Sequence, residues 1–315
     1  MLAVALIGAL AVALAACRSS GNAAVADPST TRATPVTTAR ATTTTVDHRP
    51  GFTTWVDTFV DRSRRTVPSA GPALPSRTLV TSIYRPNGNG PFPLVLFAHG
   101  IIGHPDKFTK LFAVWANAGF AVAAPAFPLT NLLAKGALDN MGDVENQAPD
   151  LKFVLEQVLA MNGRRGSRLF HAIDAQRIGA AGLSLGGVTT YDFVFGACCR
   201  DVHVVAAEVL DGFRPNVPLD GHVPMLIAHS DSDPLIPYSN AVAAFRAARA
   251  PVWFVTLRGA SHATQWENDA TPYDHVDEQL TTDFWQATLG GDARAFARLQ
   301  QDATVAGLSS IEVKR

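Results

Sequence analysis

The sequence carries almost no net charge. Its 26 lysines and arginines stand against 27 aspartates and glutamates, a formal balance of -1. No basic run is interleaved with aromatic residues, so nothing would grip a polyphosphate backbone and no nucleic-acid partner is expected. The pattern G-x-x-x-x-G-K-[ST] is absent, and the glycines between Gly179 and Gly187 lack G-x-G-x-x-G spacing. Neither a phosphate loop nor a dinucleotide site is expected, and with them no cofactor. His104 and His229 have no partners at metal-ligand spacing, so no metal is expected either. Cysteine is scarce, at three residues. Two of them, Cys198 and Cys199, are adjacent, with Cα atoms about 3.8 Å apart, below the usual disulfide span. Two reduced thiols and a strained vicinal disulfide both stay open, and export favours the second. There is no internal repeat.

What is present begins with an apolar N-terminus. Residues Met1 to Ala16 are rich in Ala, Leu and Val. The run is shorter than the roughly 20 apolar residues that span a bilayer and fits the hydrophobic region of a signal peptide. It ends in Leu14-Ala15-Ala16-Cys17, which resembles a bacterial lipobox, although no Lys or Arg precedes Arg18. That resemblance implies lipidation at Cys17. Residues 18–50 are rich in Thr, Ala, Ser and Arg. Such a segment buries too little apolar surface to offset its ordering entropy and reads as a disordered tether. The expected organisation is a lipoprotein signal peptide over 1–17, a tether over 18–50 and a folded domain over 51–315. The protein is expected to be a monomer, exported and held at the outer face of the cell membrane by its lipid. Plain secretion is the alternative.

Past the tether, short apolar runs alternate with segments of helical spacing. Residues 77–84, 94–98, 121–124, 177–182, 204–210, 225–229 and 252–257 read as strands, the second as a continuous apolar run of the kind buried on both faces. Residues 108–118, 150–161, 186–195 and 239–250 read as helices, and Val276, Leu280 and Phe284 mark a late one. This alternation predicts an α/β fold, a mostly parallel sheet with helices on both faces. The acidic residues Asp139, Asp143, Glu145 and Asp150 read as the charged approach to a helix. In such sheets ligands gather at the carboxyl ends of the strands.

One of those strand ends carries Gly182-Leu183-Ser184-Leu185-Gly186. The pattern G-x-S-x-G between a strand and a helix is a nucleophile elbow. Small neighbours let the chain turn sharply, and the helix N-terminus offers free N–H groups. Ser184 is the candidate nucleophile. A serine needs a base, and the base an orienting carboxylate, here in the chain order Ser, acid, His. The run after 225–229, Ser230 to Pro237, resembles the acid loop of many α/β-hydrolases and implies Asp233 as the acid, with Asp231 a loop neighbour. Arg258-Gly259-Ala260-Ser261-His262 follows the last core strand and matches the base, His262. His99-Gly100-Ile101 resembles a His-Gly oxyanion motif, which implies the N–H of Ile101 beside that of Leu185 as oxyanion donors, with His99 a hydrogen bonder within the turn. Phe127, Phe213 and Trp266 lie in or near loops after strands and are candidate pocket rims.

The chain from about Leu79 to Leu289 resembles the α/β-hydrolase superfamily, near its dienelactone-hydrolase, chlorophyllase-like and bacterial cutinase branches. Residues 124–131 and 198–201 are similar to exported actinobacterial members. Residues 208–213 resemble a strand-end loop beside the pocket of platelet-activating-factor acetylhydrolases. Leu183 and Leu185 depart from the cutinase elbow, and serine at 184 departs from the cysteine of dienelactone hydrolase. The resemblance implies a serine hydrolase acting on small or lipid-like carboxylic esters. An acyltransferase of the cell envelope with the same triad is the alternative, and a non-catalytic binding lipoprotein a more distant one.

Overall fold

A nine-stranded sheet organises the chain in the computed structural model, which describes residues 51–315 apart from Arg214 and Ala250. The signal-peptide, tether and Cys17 expectations fall outside the described residues. In chain order the strands are β1 (Phe52–Asp61), β2 (Arg77–Pro86), β3 (Phe92–Ala98), β4 (Ala121–Ala126), β5 (Ile173–Leu183), β6 (Val204–Leu210), β7 (Met225–Ser230), β8 (Val252–Leu257) and β9 (Ser309–Lys314). The helices are α1 (Thr109–Asn117), α2 (Val144–Gly163), α3 (Leu185–Phe195), α4 (Ser239–Ala247), α5 (Asp274–Thr288) and α6 (Ala295–Asp302).

The sheet order is β1-β2-β4-β3-β5-β6-β7-β8-β9. β4, β3, β5, β6, β7 and β8 are parallel, and β1, β2 and β9 add antiparallel edges. Side-chain alternation sorts the core into two layers. Leu94, Leu96, Val252 and Phe254 face α2, α3 and α4, while Val95, Phe97, Trp253 and Val255 face α1, α5 and α6. The inner strands are buried on both faces, which explains why they read as unbroken apolar runs. From β3 the chain crosses to β4 on one side and later to β5 on the other. That reversal opens a crevice at the strand ends, the place where such sheets take ligands.

Two features set the ends of the sheet. β1 begins beside Pro86 and ends beside Arg77, and β2 is antiparallel to β4. The chain therefore enters the sheet at the end opposite the carboxyl ends of the parallel strands. At the carboxyl end, Arg77 is fully buried and pairs with both Asp143 and Asp150, at 2.6–2.9 Å. This corrects the expectation for the acidic run: two of its four carboxylates are counter-ions inside the protein and fasten α2 to β2.

Candidate active site

Ser184 stands between β5 and α3 with φ 58° and ψ -118°. That backbone is strained for a residue with a side chain and survives only where its surroundings hold it. They do so closely. Ser184 N–H donates to the Leu210 carbonyl at 2.9 Å. A Cβ on Gly186 would lie 2.0 Å from the Ala98 carbonyl oxygen, so only glycine lets the start of α3 press onto the end of β3.

The structure brings Ser184, His262 and Asp233 into one hydrogen-bonded chain. The Ser184 Oγ hydroxyl lies 2.8 Å from His262 Nε2, and His262 Nδ1 lies 2.6 Å from Asp233 Oδ2. A proton on Nδ1 satisfies both contacts, leaving Nε2 as acceptor. The other oxygen of Asp233 accepts the N–H groups of Leu235 and Ile236. Burial works to raise the Asp233 carboxyl, but the His262 and backbone hydrogen bonds outweigh it and hold the carboxyl below its ordinary value. Asp231, the loop neighbour, accepts Gly259 N–H at 2.8 Å, and Ser230 Oγ donates to the Ala260 carbonyl at 2.5 Å. The two loops that carry acid and base are thus tied to each other.

Ile101 opens the turn after β3. Its N–H and that of Leu185 donate to no acceptor among the described residues. Leu185 is the first residue of α3, where no intrahelical acceptor exists. A Cβ on Gly100 would come within 3.0 Å of the Ser184 Cβ, so this turn lies directly against the serine. The next residue, Ile102, has φ 55°, a genuine outlier for a β-branched side chain. His99 is fully buried. It bonds the Gly100 carbonyl through Nδ1 and accepts Phe127 N–H at Nε2. Burial drives its pKa down to about 4, so it is a neutral brace between two loops.

The three aromatic rim candidates separate. Phe213 is partly exposed, as a rim residue would be. Phe127 and Trp266 are interior: Phe127 packs on His99, and the Trp266 indole sits in the core with its N–H on Asp211. Aromatic residues after strands serve the core as readily as a pocket. Exposed apolar side chains instead come from Ile102, Leu132, Leu133 and Leu235, in loops after β3, β4 and β7.

Sequence reasoning passed over a buried group behind the acid. Asp211, His229 and Asp233 place side-chain ligand atoms within 4.8 Å of one another. His229 therefore does have carboxylate neighbours, contrary to expectation, because β6 and β7 end side by side. Burial pushes the Asp211 carboxyl well above its ordinary value, with Asp233 adding to the effect, and burial does the same to Glu208 and Asp277. The available signal is an aspartate placed immediately after an apolar strand, all of it buried but Val205. Cys198 and Cys199, left open by the sequence, are joined by a disulfide just past α3.

A family model described as Chlorophyllase matches residues 45–219. The match covers more than half the chain and includes Ile101, Ser184 and Leu185, and ends before Asp233 and His262. Among solved structures, a ferulic acid esterase from Streptomyces cinnamoneus superposes with a TM-score of 0.62. It is 21% identical, with 78% of this chain and 92% of that chain covered, a likeness of fold. The fold is that of the α/β-hydrolases, as the motif resemblance implied, on the mostly parallel sheet that the alternation of elements predicted. With 1134 solved chains matching, fold alone carries no substrate. No curated protein matches the sequence significantly.

Proposed function

The chain belongs to the chlorophyllase family, and from that premise we propose that it hydrolyses carboxylic esters through an acyl-enzyme on Ser184. One observation carries this reading: the hydrogen-bonded order Ser184, His262, Asp233 beside two free N–H groups. His262 Nε2 takes the hydroxyl proton as Ser184 Oγ attacks the ester carbonyl carbon. The negative charge that forms on the carbonyl oxygen is met by Ile101 N–H and Leu185 N–H. Collapse expels the alcohol, which leaves with the proton from His262. Water, deprotonated by the same nitrogen, then attacks the acyl carbon and releases the acid. Asp233 holds the imidazole in the tautomer that does this.

The exposed apolar loop residues support a substrate with an apolar part. Beside the turn after β3 lies a groove of about 290 Å³ in which Leu132 and Leu133 stand among charged and polar side chains, Asp106, Lys107, Glu267 and Asp269 among them. Ser184→Ala is expected to lower turnover of aryl esters by about 10⁶-fold and to abolish fluorophosphonate labelling. Undiminished hydrolysis by that variant would refute the assignment.

The anchor is proposed on separate grounds. The lipobox-like Leu14 to Cys17 supports it. The Cys198–Cys199 disulfide supports an oxidising destination. Cys17→Ser is expected to move the protein from the membrane fraction to the soluble one, and retention on membranes would contradict lipidation.

A further inference from the structure

Among the described residues, four other than glycine have positive φ: Ile102, His171, Ser184 and Asp211. Ile102 and Ser184 belong to the reaction site, and His171 lies in the turn before β5. Asp211, with φ 42°, is fully buried directly after β6 and takes no part in the mechanism above. Backbone strain of this kind is kept where the surroundings demand it.

Its contacts supply the demand. Asp211 Oδ1 accepts Ser230 N–H at 2.8 Å. Oδ2 accepts Gln265 Nε2–H at 2.7 Å and Trp266 Nε1–H at 2.6 Å. Ser230 ends β7, three residues before Asp233. Gln265 and Trp266 follow His262 by three and four residues. The carbonyl of the preceding residue, Leu210, receives the N–H of Ser184. The end of β6 therefore touches all three segments that carry the triad, and one carboxyl bridges acid and base. The titratable groups facing it are His229 and Asp233 from β7 and its loop, and Asp277 from α5. His229 Nδ1 is 3.9 Å from Asp211 Oδ1 and has no hydrogen-bond partner, while Nε2 lies 3.1 Å from the Ile236 carbonyl.

We propose that Asp211 is a positioning residue whose carboxyl sets the distance between Asp233 and His262 by receiving N–H donors from both of their loops. The proposal rests on the ester-hydrolase reading for its kinetic part. All three contacts are N–H donors, so the site demands a group that accepts on both atoms. An asparagine puts an NH₂ against one of them and must release either the acid side or the base side.

Two variants and two readouts test this. In Asp211→Asn, kcat per fluorophosphonate-titrated site is expected to fall about 100-fold, the cost of a misplacement near 1 Å, with KM little changed. The acidic limb of kcat/KM should move to lower pH, since a loosened carboxylate supports the imidazolium less. The far-downfield proton resonance of the His262–Asp233 hydrogen bond should shift upfield or broaden. Trp266→Phe removes a single donor and should give smaller changes of the same signs. The double variant should lose less than the product of the two. Unchanged kcat per titrated site, pH limb and proton resonance, with only stability reduced, would overturn the proposal. If Asp211→Asn does not fold, Trp266→Phe decides by the same criteria. If the wild-type protein turns over no ester, the hydrolase reading fails, and the proton resonance alone still decides the positioning role.

Discussion

At Glu208 the interior of the sheet holds a carboxyl group with neither oxygen hydrogen-bonded. Burial keeps its pKa well above the ordinary value. An unpaired polar group in such a place costs about 1–3 kcal/mol. Glu208→Met is close in volume and should raise the thermal midpoint in calorimetry. The gain should be larger at pH 8 than at pH 5, because the cost of keeping the proton grows with pH between the unfolded and the folded values. A lower midpoint at both pH values would mean that the carboxyl has a partner in solution. Residues of this kind are where sequence reasoning has least purchase. Ser184, Asp233 and His262 were legible because each follows a strand and the chain order is fixed by the fold. Asp211 and Glu208 were not, since an acid within or just after an apolar strand reads as a turn residue as readily as a buried one. The aromatic residues failed in the opposite direction. Phe127 and Trp266 look like pocket walls by position, but their large apolar area draws them inward.

At the scale of elements, the interior strands were read to within two residues where both of their faces are dry, while β5 begins four residues before the expected start, in a stretch that is only partly buried. The edges escaped notice. In β1 only Asp61 is buried, so its sequence carries no apolar rhythm. β9 and α6 lie at a similarly wet margin. α2 begins at Val144, well before the expected Asp150, because its first turns are held by ion pairs rather than by an apolar face. Those pairs carry a prediction. Burial raises the Asp150 carboxyl, and Arg77 opposes that shift. Arg77→Leu removes the buried counter-ion of two carboxylates, and breaking such a pair costs about 3–5 kcal/mol. Urea unfolding should show that loss at an unchanged slope. A loss below about 1 kcal/mol would mean that water reaches the cluster.

For the molecule as a whole, the buried acids set a pH dependence of stability. Glu208 and Asp277, whose carboxyl oxygens are all without hydrogen bonds, have values well above ordinary, with burial the leading cause in each. The unfolded chain releases these protons near pH 4, while the folded chain keeps them. Above that pH the folded state binds more protons, so stability falls as pH rises toward the folded values. Asp61, Asp174, Asp233 and Asp274 have depressed values and act the other way. Their contribution is present above the unfolded value and is lost as pH falls through the folded one. The two sets place maximal stability on the acid side of neutrality. The thermal midpoint should be higher at about pH 5.5 than at about pH 8.5, and a midpoint that climbs steadily to the higher pH would contradict neutral buried carboxyls. The direction of the outer strands matters for handling the protein. Gly51 precedes the start of β1 beside Pro86, and Lys314 lies opposite Val252, the first residue of β8. Both chain ends of residues 51–315 therefore leave from the side remote from Ser184. Grafted to a bead or an electrode through either end, the protein would keep the Ser184 end of its sheet toward the bulk liquid, whereas coupling through the loops after β4 or β7 would press that end against the support.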